Sequence, residues 1–143
     1  MTEDQKTKLI ARAKELIGVP YKYGAAPEEA PNAFDCSSFI QYLFKGIGIE
    51  LPRSALLQAG DPHGTEIPLD ADFEQGDLLF MRGHVGHYKD SLFGGRKMDI
   101  GHAAICMGEG TVVHAKGGVG VVKQPLTELV ADPEYAIVYA KRY

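Results

Sequence analysis

The chain has few cysteines, no long apolar run and no excess of positive charge, and each shortage closes off a class of protein. Two cysteines in 143 residues, Cys36 and Cys106, are too few for a disulfide scaffold. No stretch approaches the roughly 20 apolar residues that a membrane-spanning helix requires. The formal net charge of -4 argues against general nucleic-acid binding. The first residues, Met1 to Gln5, are acidic and polar, so no signal peptide is expected in this chain. The compartment stays open: a cytoplasmic protein and part of a secreted or phage protein both fit. Internal repeats and low-complexity segments are also missing.

What remains is the stock of a globular protein, 45% hydrophobic and 24% charged. The length predicts one domain over 1–143, large enough to bury a core without staples. A monomer is expected.

Asp35-Cys36-Ser37-Ser38 is the most informative stretch. The apolar residues after it, Phe39, Ile40, Leu43, Phe44 and Ile47, have helical spacing. Asp35 is a good N-cap, and Gly46 or Gly48 can end the helix. A thiol in the first turn sits at the positive end of the macrodipole, which favours the nucleophilic thiolate. Cys106 lies in an apolar run and reads as a small core residue.

Upstream, Thr2 to Gln5 has capping-box spacing, and Leu9, Ile10, Ala13, Leu16 and Ile17 form one helical face. Ser54 can cap a short helix through Gln58, and residues 60–75 read as loop. From Gly76 the pattern becomes strand-like, with runs at 77–81, 102–107, 111–115, 119–123 and 136–140. Gly108-Glu109-Gly110 predicts a hairpin between the second and third runs. Residues 125–130 predict a short helix. Helices first and antiparallel strands second make an α+β domain. The exception is 82–100, long, glycine-rich and weakly periodic, the kind of connection that is usually functional or mobile.

A thiol nucleophile needs a base and a group to orient the base. Five histidines are available: His63, His84, His87, His102 and His114. His102 opens the second strand and His114 closes the third, so the short hairpin can bring the two imidazoles together. A solvated pair at a sheet edge is the plainer alternative. His84 and His87, three apart in a glycine-rich loop, lack the further placed ligands of a zinc site. No metal and no cofactor is expected.

In order and spacing these segments resemble the NlpC-type papain-like peptidases of bacterial cell walls. The resemblance runs through Gly18-Val19-Pro20-Tyr21-Lys22-Tyr23-Gly24, Asp35 to Tyr42, Leu51-Pro52-Arg53-Ser54 with Gln58, Gly76 to Phe80, His102 to Gly108 and His114-Ala115. It covers about Leu9 to Tyr143. It implies a papain-like α+β fold, with N-terminal helices carrying the nucleophile against a C-terminal antiparallel sheet of about five strands. It implies Cys36 as nucleophile, His102 as base and His114 as the third polar residue. Tyr21 or Tyr23 would stand near the thiol at the oxyanion site. Asp35, Ser37, Arg53 and Ser54 would line the pocket for the free amino end of a stem peptide. The implied reaction is hydrolysis of peptidoglycan stem peptides or muropeptide fragments between D-glutamate and a diamino acid. An amidase or acyltransferase of the same fold, or a non-catalytic phage-tail or structural module, are the alternatives.

Three departures stand out. Ser38 takes the place of the family's usual glycine. His102-Ala103-Ala104-Ile105-Cys106 replaces a His-Val-Gly-Ile-Tyr pattern. The 82–100 segment exceeds the usual link and reads as an insertion. It contains His84-Val85-Gly86-His87-Tyr88, a closer literal match to the base motif. Register favours His102, because only its run stays apolar and reaches His114-Ala115 at the right distance.

Overall fold

The computed structural model describes residues 1–143, the side chain of Asp90 excepted. Helix α1 (Glu3–Glu15) opens on a reciprocal capping box between Thr2 and Gln5. Helix α2 (Cys36–Lys45) follows a loop and is capped by Asp35, whose carboxylate accepts from the Ser38 amide. Helix α3 (Ala55–Gly60) is capped by Ser54. The strands are β1 (Thr65–Glu66), β2 (Leu78–Met81), β3 (His102–Gly108), β4 (Thr111–Lys116), β5 (Gly120–Pro125) and β6 (Ile137–Arg142). Helix α4 (Leu126–Val130) lies between the last two strands.

All strand pairs are antiparallel, in the order β1-β6-β2-β3-β4-β5. The five strand runs expected from the sequence are present. The sixth strand, β1, falls in the stretch read as loop and pairs Thr65 with Arg142.

Strand alternation sends side chains to two sides of the sheet. On one side Ala103, Ile105, Val113 and Ala115 share a cluster with Phe39, Ile40, Leu43 and Phe44 of α2 and with Leu9 and Ala13 of α1. On the other side Leu79, Ala104, Cys106 and Val112 pack with Leu129 of α4. Cys106 is 3% exposed and serves as a small core residue. The packing of α2 on β3 and β4 fixes the helix N-terminus beside the start of β3.

The 82–100 segment is built onto this frame. His87 and Ile100 form an antiparallel bridge, and Asp90–Phe93 make a turn of 3-10 helix. Phe93, Met98 and Ile100 are buried in the main cluster. Asp99 Oδ2 accepts from Arg82 Nε and from the Tyr88 hydroxyl, both at 3.1 Å.

Candidate active site

Cys36 is the first residue of α2 and only 8% exposed. Its Sγ lies 3.7 Å from the Gly101 carbonyl, within range for the thiol to donate, and the Ala103 amide also points at the sulfur. The thiol therefore rests against the backbone on both sides of His102. Burial, followed by the negative charge of Asp35, pushes the Cys36 thiol up to about 11. This corrects the thiolate expected from the helix position. Amide donors and Arg53 oppose the rise, but desolvation exceeds them.

His102 and His114 lie on the sheet face away from α2. His102 Nε2 and His114 Nδ1 are 2.8 Å apart, and the rings cross at 88°. His114 Nε2 lies 2.6 Å from Gln124 Oε1 on β5. Burial lowers His102 to about 3, helped by His114 and Lys116. Burial also lowers His114, helped by Lys116 and opposed by the hydrogen bond that His114 donates to Gln124 Oε1. Both imidazoles are thus neutral at pH 7, beside a neutral thiol.

A cleft of about 550 Å³ opens over Cys36. Tyr21, Tyr23, Asp35, Ser37, Arg53 and Ser54 line it; His102 and His114 are buried and do not. Burial first, then the charges of Cys36 and Asp35, push the Tyr21 phenol up to about 12. Tyr23 is 85% exposed on the rim.

Asp35 is more heavily engaged than the sequence indicates. Arg53 binds it in a fork, Nη2 to Oδ2 at 2.7 Å and Nη1 to Oδ1 at 3.1 Å. The amides of Ser38 and Gly24 and the Ser37 hydroxyl also donate to this carboxylate. Burial by itself would raise Asp35, but the Arg53 and Ser38 hydrogen bonds and the Arg53 charge outweigh it and hold the carboxyl below its usual value. Ser54 spends its hydroxyl as an acceptor for the Leu57 amide.

The other histidines are not drawn into the pair. His84 is exposed, with Nδ1 3.7 Å from Glu134 Oε1, and His63 pairs with Asp61. His87 and Tyr88 bring the 82–100 segment to the cleft wall. Sequence reasoning missed Gln124, Tyr135 and Gly101. Gln124 falls just past the strand run expected at 119–123 and before the short helix expected at 125–130. Tyr135, whose ring centroid is 5.1 Å from that of His102, ends a short 3-10 helix (Pro133–Tyr135) that lies between the segments at 125–130 and 136–140 expected from the sequence.

Residues 18–139 match the family model described as the NlpC/P60 family. The chain is 32% identical over 139 residues to the Probable endopeptidase Rv2190c of Mycobacterium tuberculosis, covering 96% of this chain and 29% of that protein. It is 33% identical over 131 residues to the Gamma-D-glutamyl-L-lysine dipeptidyl-peptidase of Bacillus subtilis, covering 91% of this chain and 39% of that one. The chain thus spans well under half the length of these curated relatives. The solved NlpC/p60 domain of the peptidoglycan hydrolase SagA superposes with a TM-score of 0.69 at 26% identity, over 96% of this chain and 98% of that one.

Proposed function

From the premise that this chain belongs to the NlpC/P60 family, we propose that it is a cysteine endopeptidase that hydrolyses peptidoglycan stem peptides between D-glutamate and a diamino acid. The observation that carries the reading is the linked, buried His102–His114 pair, with His102 set between the Gly101 carbonyl and the Ala103 amide that meet the only thiol on the cleft among the described residues. The likeness to the peptidoglycan hydrolase SagA supports the substrate class, and that to the Gamma-D-glutamyl-L-lysine dipeptidyl-peptidase of Bacillus subtilis supports the γ-D-glutamyl bond.

In this reading the three residues share one reaction. His102 Nε2 is occupied by His114, so Nδ1 is the nitrogen that takes the thiol proton. The S–H leaves the Gly101 carbonyl, and Sγ attacks the scissile carbonyl carbon. The oxygen gains charge opposite the Cys36 amide at the start of α2. Tyr21 adds its hydroxyl there; its raised pKa keeps it a donor, and its position near the thiol favours it over Tyr23. His102 passes the proton to the leaving amine, and water then releases the thioester by the reverse transfers.

Both the thiol and the imidazole start neutral, so charge separates only as the substrate arrives. Asp35 and Arg53 supply the only side-chain carboxylate and the only guanidinium of the cleft among the described residues. We assign them to the polar end of the peptide, with Asp35 facing the amino group and Ser37 and Ser54 beside it. Because Arg53 already neutralises Asp35, the site selects by hydrogen-bond geometry more than by net charge. The 82–100 segment, an insertion in this single domain, closes the cleft with His87 and Tyr88.

The test is incubation with defined stem peptides followed by mass spectrometry, for the parent and for Cys36→Ala. Cleavage by the parent alone, at the glutamyl bond, is expected. Equal cleavage by both would overturn the mechanism, and no cleavage by either would favour a non-catalytic module.

A further inference from the structure

We propose that Gln124 is a positioning residue that sets the tautomers of both active-site histidines and so makes His102 a competent base. The inference rests on the peptidase reading above, but the geometry behind it is independent of substrate.

The order of hydrogen bonds determines where each proton lies. Gln124 Nε2 donates to Glu128 Oε1 at 3.3 Å, which turns the amide so that Oε1 faces His114. That oxygen can only accept, so the proton of His114 sits on Nε2, 2.6 Å away. A neutral His114 with its proton on Nε2 has a bare Nδ1, and a bare nitrogen can only accept. His102 Nε2, 2.8 Å from it, must then carry the proton of the second ring. His102 Nδ1 is left with its lone pair. That nitrogen is the one the mechanism needs for the thiol proton. The opposite order would put a proton on His102 Nδ1 and block the transfer.

The sheet supplies the alignment. Val112 pairs with Gln124 and His114 pairs with Val122, so His114 and Gln124 are diagonal neighbours on one face of β4 and β5. Glu128 stands four residues beyond Gln124, on α4. The other groups facing the two rings are Tyr135, against both, and Lys116, whose charge acts on both. Cys36 lies beyond His102. None of these competes for His114 Nε2 among the described hydrogen bonds.

Two substitutions separate positioning from support. Gln124→Leu keeps bulk but cannot accept, so His114 is free to move its proton to Nδ1. The expected result is a kcat lower by roughly 10- to 100-fold with KM within twofold of the parent. Nitrogen-15 spectra of the histidine rings should show the Nε2-protonated form of His102 falling in population. Gln124→Glu keeps an acceptor and should retain activity at high pH. Its negative charge favours protonated His114, which donates from Nδ1 and reverses the order, so the acid limb of kcat should move up by about one pH unit.

Parent tautomers and parent kcat in Gln124→Leu would overturn the proposal, as would equal loss in both variants at every pH. If Gln124→Leu does not fold, the Gln124→Glu profile decides alone: an unmoved acid limb rejects the proposal. The ring spectra need no substrate. An inactive parent with the expected tautomers would therefore count against the peptidase reading and leave the Gln124 relay standing.

Discussion

His102 Nε2 stands 2.8 Å from His114 Nδ1, and both rings are shielded from water, at 6% and 0% exposure. The pairing follows from a short hairpin whose strands place the two residues on the same sheet face. Its consequence is electrostatic. Neither ring can charge cheaply, and the thiol in front of them cannot either.

The first prediction concerns the thiol. With Cys36 pushed up to about 11 and His102 lowered to about 3, the resting pair is thiol and imidazole. Alkylation of Cys36 by iodoacetamide should be slow at pH 7 and rise through pH 9–11, as the thiolate fraction grows. Mass spectrometry of the Cys36 peptide across pH measures this. A rate that reaches its plateau below pH 6 would mean a preformed thiolate–imidazolium pair and would reject the neutral ground state.

The same burial predicts an acid limb of stability. An unfolded histidine titrates near 6.5, whereas folded His102 titrates near 3. Between these values the unfolded state binds more protons, so stability is complete above about pH 6.5 and is lost as pH falls toward 3. The loss is at most about 1.4 kcal/mol per pH unit from this one group. His102→Gln should flatten the slope of Tm against pH between 6.5 and 4. An unchanged slope would place the acid sensitivity elsewhere.

The contrast between helix and thiol shows what the sequence could and could not carry. Helix α2 was legible because Asp35 is a cap and Phe39, Ile40 and Leu43 share a face, both local properties. The β3–β4 hairpin was legible from its glycine link. Strand β1 was not: two residues between Gly64 and Pro68 have no periodicity, and their pairing depends on β6, about 75 residues downstream. The state of Cys36 is not legible in the sequence because the macrodipole is local, whereas the desolvation that pushes the thiol up comes from the tertiary packing around α2. Gln124 was hidden as well. It falls just past the expected strand run, and its diagonal neighbour on β4 follows only from the pairing of the strands.

Asp35 permits a sharper substitution test than most caps. Asparagine is also a good N-cap, so Asp35→Asn keeps the Ser38 contact at Oδ1 while removing the charge that Arg53 faces and the Oδ2 acceptor used by Arg53 Nη2 and the Gly24 amide. Stability should fall by about 1–3 kcal/mol, below the figure for fully buried pairs because the Arg53 side chain is 36% exposed. The sign with pH is fixed by the depressed carboxyl: its contribution is present above about pH 3.9 and is lost as pH falls through the lower folded value. Urea melts of Asp35→Asn, Arg53→Met and the double variant measure the coupling. Strict additivity would mean that the fork contributes nothing.

Gly101 links the 82–100 segment to the thiol. A β-carbon built there would lie 1.9 Å from the Val85 carbonyl oxygen and 2.5 Å from that of Arg82, both backbone atoms that side-chain motion cannot clear. The Gly101 carbonyl is also the group against which the thiol rests. Gly101→Ala must therefore push residues 82–85 outward or shift the start of β3. Overpacking of this kind costs about 1–3 kcal/mol. The expected outcome is a folded protein with a lower Tm, faster proteolysis within 82–100 and a kcat reduced although no polar side chain has changed. Gly94→Ala is the control, since a β-carbon there meets nothing within 4 Å, although its φ of +63° adds local strain. Equal effects of the two substitutions on kcat would show that backbone strain in the segment, and not its contact with Gly101, governs the thiol.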